Sequence, residues 1–334
     1  MRCRFLCLLL IPTLALSSAA WSQSVSKKSA PKSGVDHSSS GDVAGDVAKV
    51  PSGVILVKGA WSSASDSTTP LPEGGNVANG VFSDQYFGMT YPLPRDWTET
   101  YKGPPPSVTG RYVLANLNPA DTVKAPAHAS ILITAQDLFF DPVRASDAAG
   151  TINHMKDHLQ ADYKVESLPT QTKIADRSFT FFTYGSPAAE LHWYVLATEI
   201  RCHVLQVVMT SRDTKLLDGL IQDMNKMKLS AAAGPAGGGS APVCIKDYAR
   251  DENMIARVDP LFTQRRFNPV PVRIIIDKKG KVKHIHFLSA FDDQAKAISD
   301  ALAQWKFKPY QKNGQPVEVE TGILFGRVNP NYHQ

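Results

Sequence analysis

Several groups of residues in this chain have the side-chain types that chemistry uses, and their spacing decides what each would do. His154 and His158 stand four apart, which on a helix places both imidazoles on one face, the arrangement of a helical zinc site. Met155 occupies the place where a hydrolytic site of that kind carries its glutamate. The pair also falls on the flank of the Ile152, Met155 and Leu159 stripe, so the expectation is two solvated histidines. His284 and His286 share one side of a strand-like run, and with no carboxylate or cysteine near them in the sequence they offer only adventitious binding to a transition metal. Cys202 and Cys244 are the two cysteines that remain once Cys3 and Cys7 leave with an N-terminal leader. They fall in different expected domains on either side of a glycine-rich linker, which weighs against a disulfide, although an export compartment permits one. No Gly-x-Ser-x-Gly elbow, phosphate loop, Cys-x-x-Cys pair or calcium loop occurs. The expectation is therefore no catalytic residue, no cofactor and no metal, and hence no enzyme.

The most informative stretch is residues 271–327. Val272, Ile274 and Ile276 alternate with a second set of residues, the period of a half-buried strand. Asp277-Lys278-Lys279-Gly280 reads as a hairpin turn with glycine where a positive φ is needed. The return strand, residues 282–288, breaks parity between Val282 and Ile285, which predicts a bulge. Asp292 is placed to cap a helix carrying Ala295, Ile298, Leu302 and Trp305 on one face, and Pro309 stops it. A third strand follows, with Val317, Val319, Thr321, Ile323 and Phe325 inward and Glu318, Glu320 and Leu324 outward. The expected unit is ββαβ. Trp305-Lys306-Phe307-Lys308 and Arg265-Arg266-Phe267 interleave cations with aromatics, as single-strand nucleic-acid binders do. Trp305 is better placed in the core, so no nucleic-acid partner is expected.

The Asp277/Gly280 hairpin, the Trp305 to Pro309 run, the Asn313-Gly314-Gln315-Pro316-Val317 turn and the closing Ile323-Leu324-Phe325 strand resemble the C-terminal domain of the TonB/TolA family. The resemblance spans about residues 244–327. It implies a non-catalytic periplasmic module that pairs an exposed strand edge with a segment of a partner protein, backbone hydrogen bonds giving affinity and alternating pockets giving choice. The working surface expected on that basis is Val317, Glu318, Val319, Glu320 and Leu324, and Val319→Pro would be the substitution that removes an edge donor.

Stepwise from the N-terminus, Arg2 and Arg4, the apolar run of residues 5–16 and the small residues 17–20 read as a cleavable signal peptide over residues 1–22, too short an apolar core for a spanning helix. Residues 23–79 are Ser/Gly-rich with little apolar surface, apart from a strand-like run at residues 54–57. Residues 80–230 hold a Tyr86-Phe87-Gly88 to Trp97 opening, a strand at residues 129–135, a helix at residues 146–161, three β-rich runs at residues 174–184, 190–199 and 203–210, and a helix capped by Asp213. That order is similar to the PsbP-like α/β sandwich, a mostly non-catalytic family that binds larger assemblies. Residues 231–243 read as a Gly/Ala/Pro linker allowing the flanking domains independent motion over ~20 Å, and residues 244–334 form the second domain.

The fold class expected is α+β, a PsbP-like α/β sandwich followed by a small TonB C-terminal-like ββαβ domain. Net charge is +5 over 334 residues, and the basic excess sits at the C-terminal end, a surface for an acidic partner or anionic lipid. The function expected is an exported, non-catalytic cell-envelope protein, periplasmic or secreted, that binds an envelope polypeptide by strand addition, an outer-membrane protein among the candidates. If the N-terminus is retained as an inner-membrane anchor, the alternative is a TonB-type energy transducer for outer-membrane transport. A periplasmic hydrolase or metal-binding protein is the further alternative.

Overall fold

The structure, a computed structural model, describes residues 72, 73, 75–100, 108–120, 128–143, 145, 147–230, 241–264, 266 and 268–326. The expected signal peptide, the strand-like run at residues 54–57 and most of the linker lie outside these residues. In chain order the elements are β1 (Asn76–Ala78), β2 (Val81–Asp84), β3 (Met89–Pro92), β4 (Trp97–Glu99), β5 (Arg111–Pro119), β6 (Ser130–Asp137), α1 (Ala148–Asp157), β7 (Lys164–Ile174), β8 (Arg177–Ser186), β9 (Leu191–Ile200), β10 (His203–Ser211), α2 (Thr214–Asp223) and β11 (Lys228–Leu229). There follow β12 (Val243–Cys244), β13 (Met254–Ala256), β14 (Val270–Ile276), β15 (Val282–Phe287), α3 (Asp292–Leu302), β16 (Lys306–Phe307), β17 (Gln311–Lys312), β18 (Gln315–Pro316) and β19 (Val319–Phe325).

The expected fold class is overturned. Strand accounts for 46% of the described residues and helix for 16%, in three helices, so the chain is mostly β and does not divide into an α/β sandwich and a ββαβ domain. One reason is β7: its pattern is polar and interrupted by Pro169, which hides an eleven-residue strand from a search for apolar alternation. Proline is tolerated there because β7 is the last strand of its sheet. The β-rich run expected at residues 174–184 is β8 from Arg177 on; its first residues are the end of β7 and the reversal, made by Ala175 and Asp176 at φ 50° and 63°. Helices are short for stated reasons too. Asp147 caps α1 by accepting the Gly150 N–H at 2.6 Å, and Asp213 caps α2 by accepting the Lys215 N–H at 2.9 Å.

The largest sheet is antiparallel, in the order β4-β5-β6-β10-β9-β8-β7, and a small sheet runs β1-β2-β3-β11. Alternation divides the large sheet's side chains between two cores. Leu196, Leu205, Val207 and Met209 join Leu217, Leu220 and Met224 of the α2 region and Phe82 and Tyr91 of the small sheet. Val195, Ala197 and Val204 face Ala148 and Ile152 of α1. The third sheet runs β12-β19-β14-β15, with β12 parallel to β19 and the other pairs antiparallel. Val272, Ile274, Ile276, Ile285, Phe287 and Val319 pack beneath Ala295, Ile298 and Leu302 of α3 and Trp305 after it. The β14–β15 turn has the expected glycine: Gly280 sits at φ 78°, its N–H donates to Asp277 O at 2.9 Å and its O accepts the Phe307 N–H at 2.8 Å. The expected bulge is present as a register shift between Ile275 and Ile276. Asp292 is the first helical residue of α3 rather than its cap; Gln294 Oε1 accepts the Phe291 N–H at 3.3 Å.

Residues 80–230 and 244–326 are joined rather than free of one another. Cys202 and Cys244 form a disulfide with Cα atoms 5.5 Å apart, and both lie within the compact unit Val47–Gln334. The expectations of unpaired cysteines and independent motion are therefore corrected. Sequence distance misled, because the β9–β10 turn and β12 meet in space although 42 residues separate the two cysteines.

Candidate functional site

The third sheet has a second face, and its residues were expected in solvent. Arg273 of β14 sits opposite Gly322, and Ile275 opposite Glu320, so these side chains project away from α3. They project into protein. Arg273 is 2% exposed and reaches across to the other half of the molecule. Its Nη1 donates to Asp137 Oδ2 at 2.8 Å and to His203 Nε2. Its Nη2 donates to Tyr86 Oη at 2.8 Å and to Glu320 Oε1, and its Nε donates to Glu320 Oε1 at 3.2 Å. One guanidinium thus holds two buried carboxylates, a phenol and an imidazole, a use of its fixed fork of donors that lysine could not reproduce.

The protonation states follow from the partners. His203 Nδ1 lies 2.7 Å from Arg201 O, an acceptor only, so Nδ1 carries the proton and Nε2 is the acceptor facing Arg273. Burial, and then the Arg273 charge, push the His203 pKa well below its ordinary value, which keeps the ring neutral. Burial raises Asp137 despite the arginine beside it. For Arg273 burial opposes the charge, but Asp137 and Glu320 outweigh it and the pKa moves well up. Buried Tyr86 is also raised by desolvation, so it stays a phenol. The cluster is a neutral imidazole, a phenol and one cation between two carboxylates. All five groups are buried.

The five edge residues named from the sequence are not brought together as one surface. Val317 is half-buried and donates its N–H to Tyr310 O at 3.1 Å. Glu318 accepts from Lys283 Nζ at 2.9 Å. Val319 is 1% exposed in the α3 core, and Glu320 is 7% exposed in the Arg273 cluster. Leu324 alone is well exposed, at 44%. The edge itself is partly occupied: β12 donates from the Val243 N–H to Glu318 O at 2.8 Å, and the Ile245 N–H donates to Glu320 O at 3.0 Å. Residues 318 and 320 therefore turn their backbone groups outward, and by the two-residue period so do Gly322 and Leu324. Val319 turns its groups toward β14, so Val319→Pro would break the internal ladder instead of the edge. The ladder with β12 stops at Glu320, and among the described residues Gly322 and Leu324 have no strand partner on that side. Gly322 is required where it stands, since a Cβ there would lie 2.5 Å from Phe139 Cβ.

Around the Cys202–Cys244 disulfide is a groove of about 410 Å3, lined also by Leu138, Phe139, Ile200 and the charged Glu199, Arg201 and Lys246. Arg201 and Cys202 form the β9–β10 reversal at φ 49° and 62°, a left-handed pair that hairpins ordinarily fill with Asn-Gly. The Arg201 guanidinium lies 4.2 Å from the centroid of the Tyr86 ring and bonds Tyr86 O.

The histidine pairs resolve differently. His154 and His158 stack at 3.9 Å, and His158 Nδ1 bonds His154 O at 2.8 Å. His286, expected without a carboxylate nearby, is 4% exposed and has Glu73 Oε1 3.0 Å from its Nε2; the partner comes from 213 residues upstream, beyond what local sequence shows. Among the described residues no cluster of three or more His, Cys, Asp or Glu is arranged to hold a metal. Trp305 is in the core as expected, at 4% exposure, with Nε1 donating to Val258 O at 2.7 Å. Among the described residues no helix is long and apolar enough to cross a membrane.

No family model matches the chain, and no curated protein matches it. Among solved structures, the chain is similar to the solution structure of cyanobacterial PsbP (CyanoP) from Synechocystis sp. PCC 6803. The identity is 11%, the TM-score is 0.32, and the match covers 50% of this chain and 98% of that one. The likeness to PsbP is weak.

Proposed function

We propose that this is an exported, non-catalytic protein of a bacterial cell envelope that binds a partner polypeptide by strand addition at the outer edge of β19. One observation carries the reading: the β12 ladder ends at Glu320, and beyond it Gly322 and Leu324 turn their backbone groups outward with no strand partner among the described residues. An extended peptide laid there gains main-chain hydrogen bonds on one side and can place a side chain toward Phe139, which lies against Gly322. The resemblance of about residues 244–327 to the TonB/TolA C-terminal domain supports the same mode, and the signal-like N-terminus supports a periplasmic or secreted location. The partner is a protein of the envelope, an outer-membrane protein among the candidates.

The test is Leu324→Pro. The opposed pair Pro271 and Leu324 lies between the pairs that bond β14 to β19, so proline at 324 removes an outward donor and leaves that ladder intact. Affinity capture from envelope extract with wild-type and variant chains should recover the same polypeptide with wild-type only. Equal recovery at unchanged thermal stability removes the edge from consideration.

A further inference from the structure

We infer that the Cys202–Cys244 disulfide is a lock on the docking edge: it holds β12 across Glu318 and Glu320, and its reduction by a dithiol frees the full outward row of Glu318, Glu320, Gly322 and Leu324. This rests on the strand-addition reading of the β19 edge. As it stands the edge offers the outward groups of two residues, and opening would extend that row to four. The obstruction is a strand of two residues, Val243–Cys244, held through the Val243 and Ile245 N–H groups by bonds to Glu318 O and Glu320 O. Two such bonds are weak on their own. Just downstream, Tyr248 is anchored by its N–H to Thr321 Oγ1 at 3.2 Å, but at β12 itself the covalent tie is to Cys202, which is fixed in the large sheet by the β9–β10 hairpin.

The chemistry is open to a reductant on one sulfur only. Cys244 is exposed and Cys202 is 4% exposed, and both line the groove. A thiolate of the dithiol attacks Cys244 Sγ, the S–S bond breaks, and Cys202 leaves as a thiolate that takes up a proton. The second thiol of the reductant then displaces Cys244 from the mixed disulfide. One dithiol is oxidised to a disulfide while the two cysteines gain two electrons and two protons. The new Cys202 thiol has an acceptor waiting, since Glu320 Oε2 is 3.5 Å from its sulfur, so the buried side of the broken bond is satisfied while exposed Cys244 leaves with β12.

Amide exchange on the full-length chain, with and without dithiothreitol, tests the lock. The Glu320 amide, the outward one inside the β12 ladder, should exchange about tenfold faster or more after reduction, while the β14 amides behind Arg273 keep their protection. Unchanged exchange at Glu320 overturns the lock. So does loss of protection in β14 as well, because the disulfide is then a staple of the whole fold. A binding arm separates the two ideas. In Val243→Pro, which lacks one β12 donor but keeps Cys244, a synthetic peptide copying residues 241–249 with serine for Cys244 should bind the reduced chain and not the oxidised one. Binding to both forms equally discards the lock and keeps strand addition; an edge that opens yet never takes the peptide discards strand addition and keeps the lock.

Discussion

Replacing Arg273 by methionine removes one cation and leaves the rest of its cluster in place. Methionine roughly conserves the side-chain volume, so no large cavity opens and the effect is electrostatic. Asp137, with a side chain 0% exposed, and Glu320, at 9%, lose the group both depend on. His203 Nε2 and Tyr86 Oη lose a donor at the same time. Breaking a buried ion pair from one side costs ~3–5 kcal/mol, because the partner charge stays behind uncompensated. Arg266→Met is the control: its pair with Asp293 is 28% and 21% exposed, so its loss should cost ~1 kcal/mol or less. The pH dependence is distinctive. Without Arg273 the folded-state pKa of Asp137, already raised by burial, rises further above the unfolded value. The folded variant then binds protons that the unfolded chain releases, so its deficit is largest at pH 7–8 and shrinks as pH falls toward 5. Urea unfolding at both pH values measures this. The reasoning is refuted if Arg273→Met costs no more than Arg266→Met, or if its deficit is the same at both pH values.

Other consequences follow from particular groups. Burial raises the Asp84 carboxyl from its ordinary 3.8 to about 7, so its contribution to stability is complete below pH 3.8 and is lost as pH rises through 7, an effect of at most ~4 kcal/mol. Asp84→Asn keeps the acceptor for the Phe87 N–H at 3.0 Å and should flatten the fall of melting temperature between pH 4 and 8; an unchanged slope assigns that fall to another group. Gly280→Ala would put a Cβ 1.9 Å from Phe307 O at φ 78° and should cost ~2 kcal/mol or more, read by denaturant titration, whereas Gly314→Ala, at φ 75° in open space, should cost no more than ~1–2 kcal/mol. If the two variants are equally stable, the close approach of β16 to the turn is not a constraint.

What the sequence made legible was local. Gly280 at its turn, the Asp213 cap and the α3 stripe of Ala295, Ile298 and Leu302 follow from rules that act within a few residues. The junction was not legible because its partners are remote: Arg273 meets Asp137 across 136 positions and Glu73 meets His286 across 213. One signal was present. Arg273 interrupts the run Val270 to Ile276 on the face also bearing Ile275, and an arginine and an isoleucine sharing a face argue that it is covered, with a carboxylate near. Reading that face as solvent put Glu320 on the surface and the β19 edge in the open. Fold class failed for a related reason, since polar edge strands such as β7 carry no apolar alternation to find.

The most direct test of the strand-addition account is photocrosslinking in intact cells with p-benzoylphenylalanine at position 324, and separately at position 215 on α2 as a remote control. The account predicts one envelope polypeptide crosslinked from position 324, with the crosslinked residues mapping to an extended segment of it, and none from position 215. The same products from both positions, or none from 324 in reducing and oxidising growth alike, would contradict it.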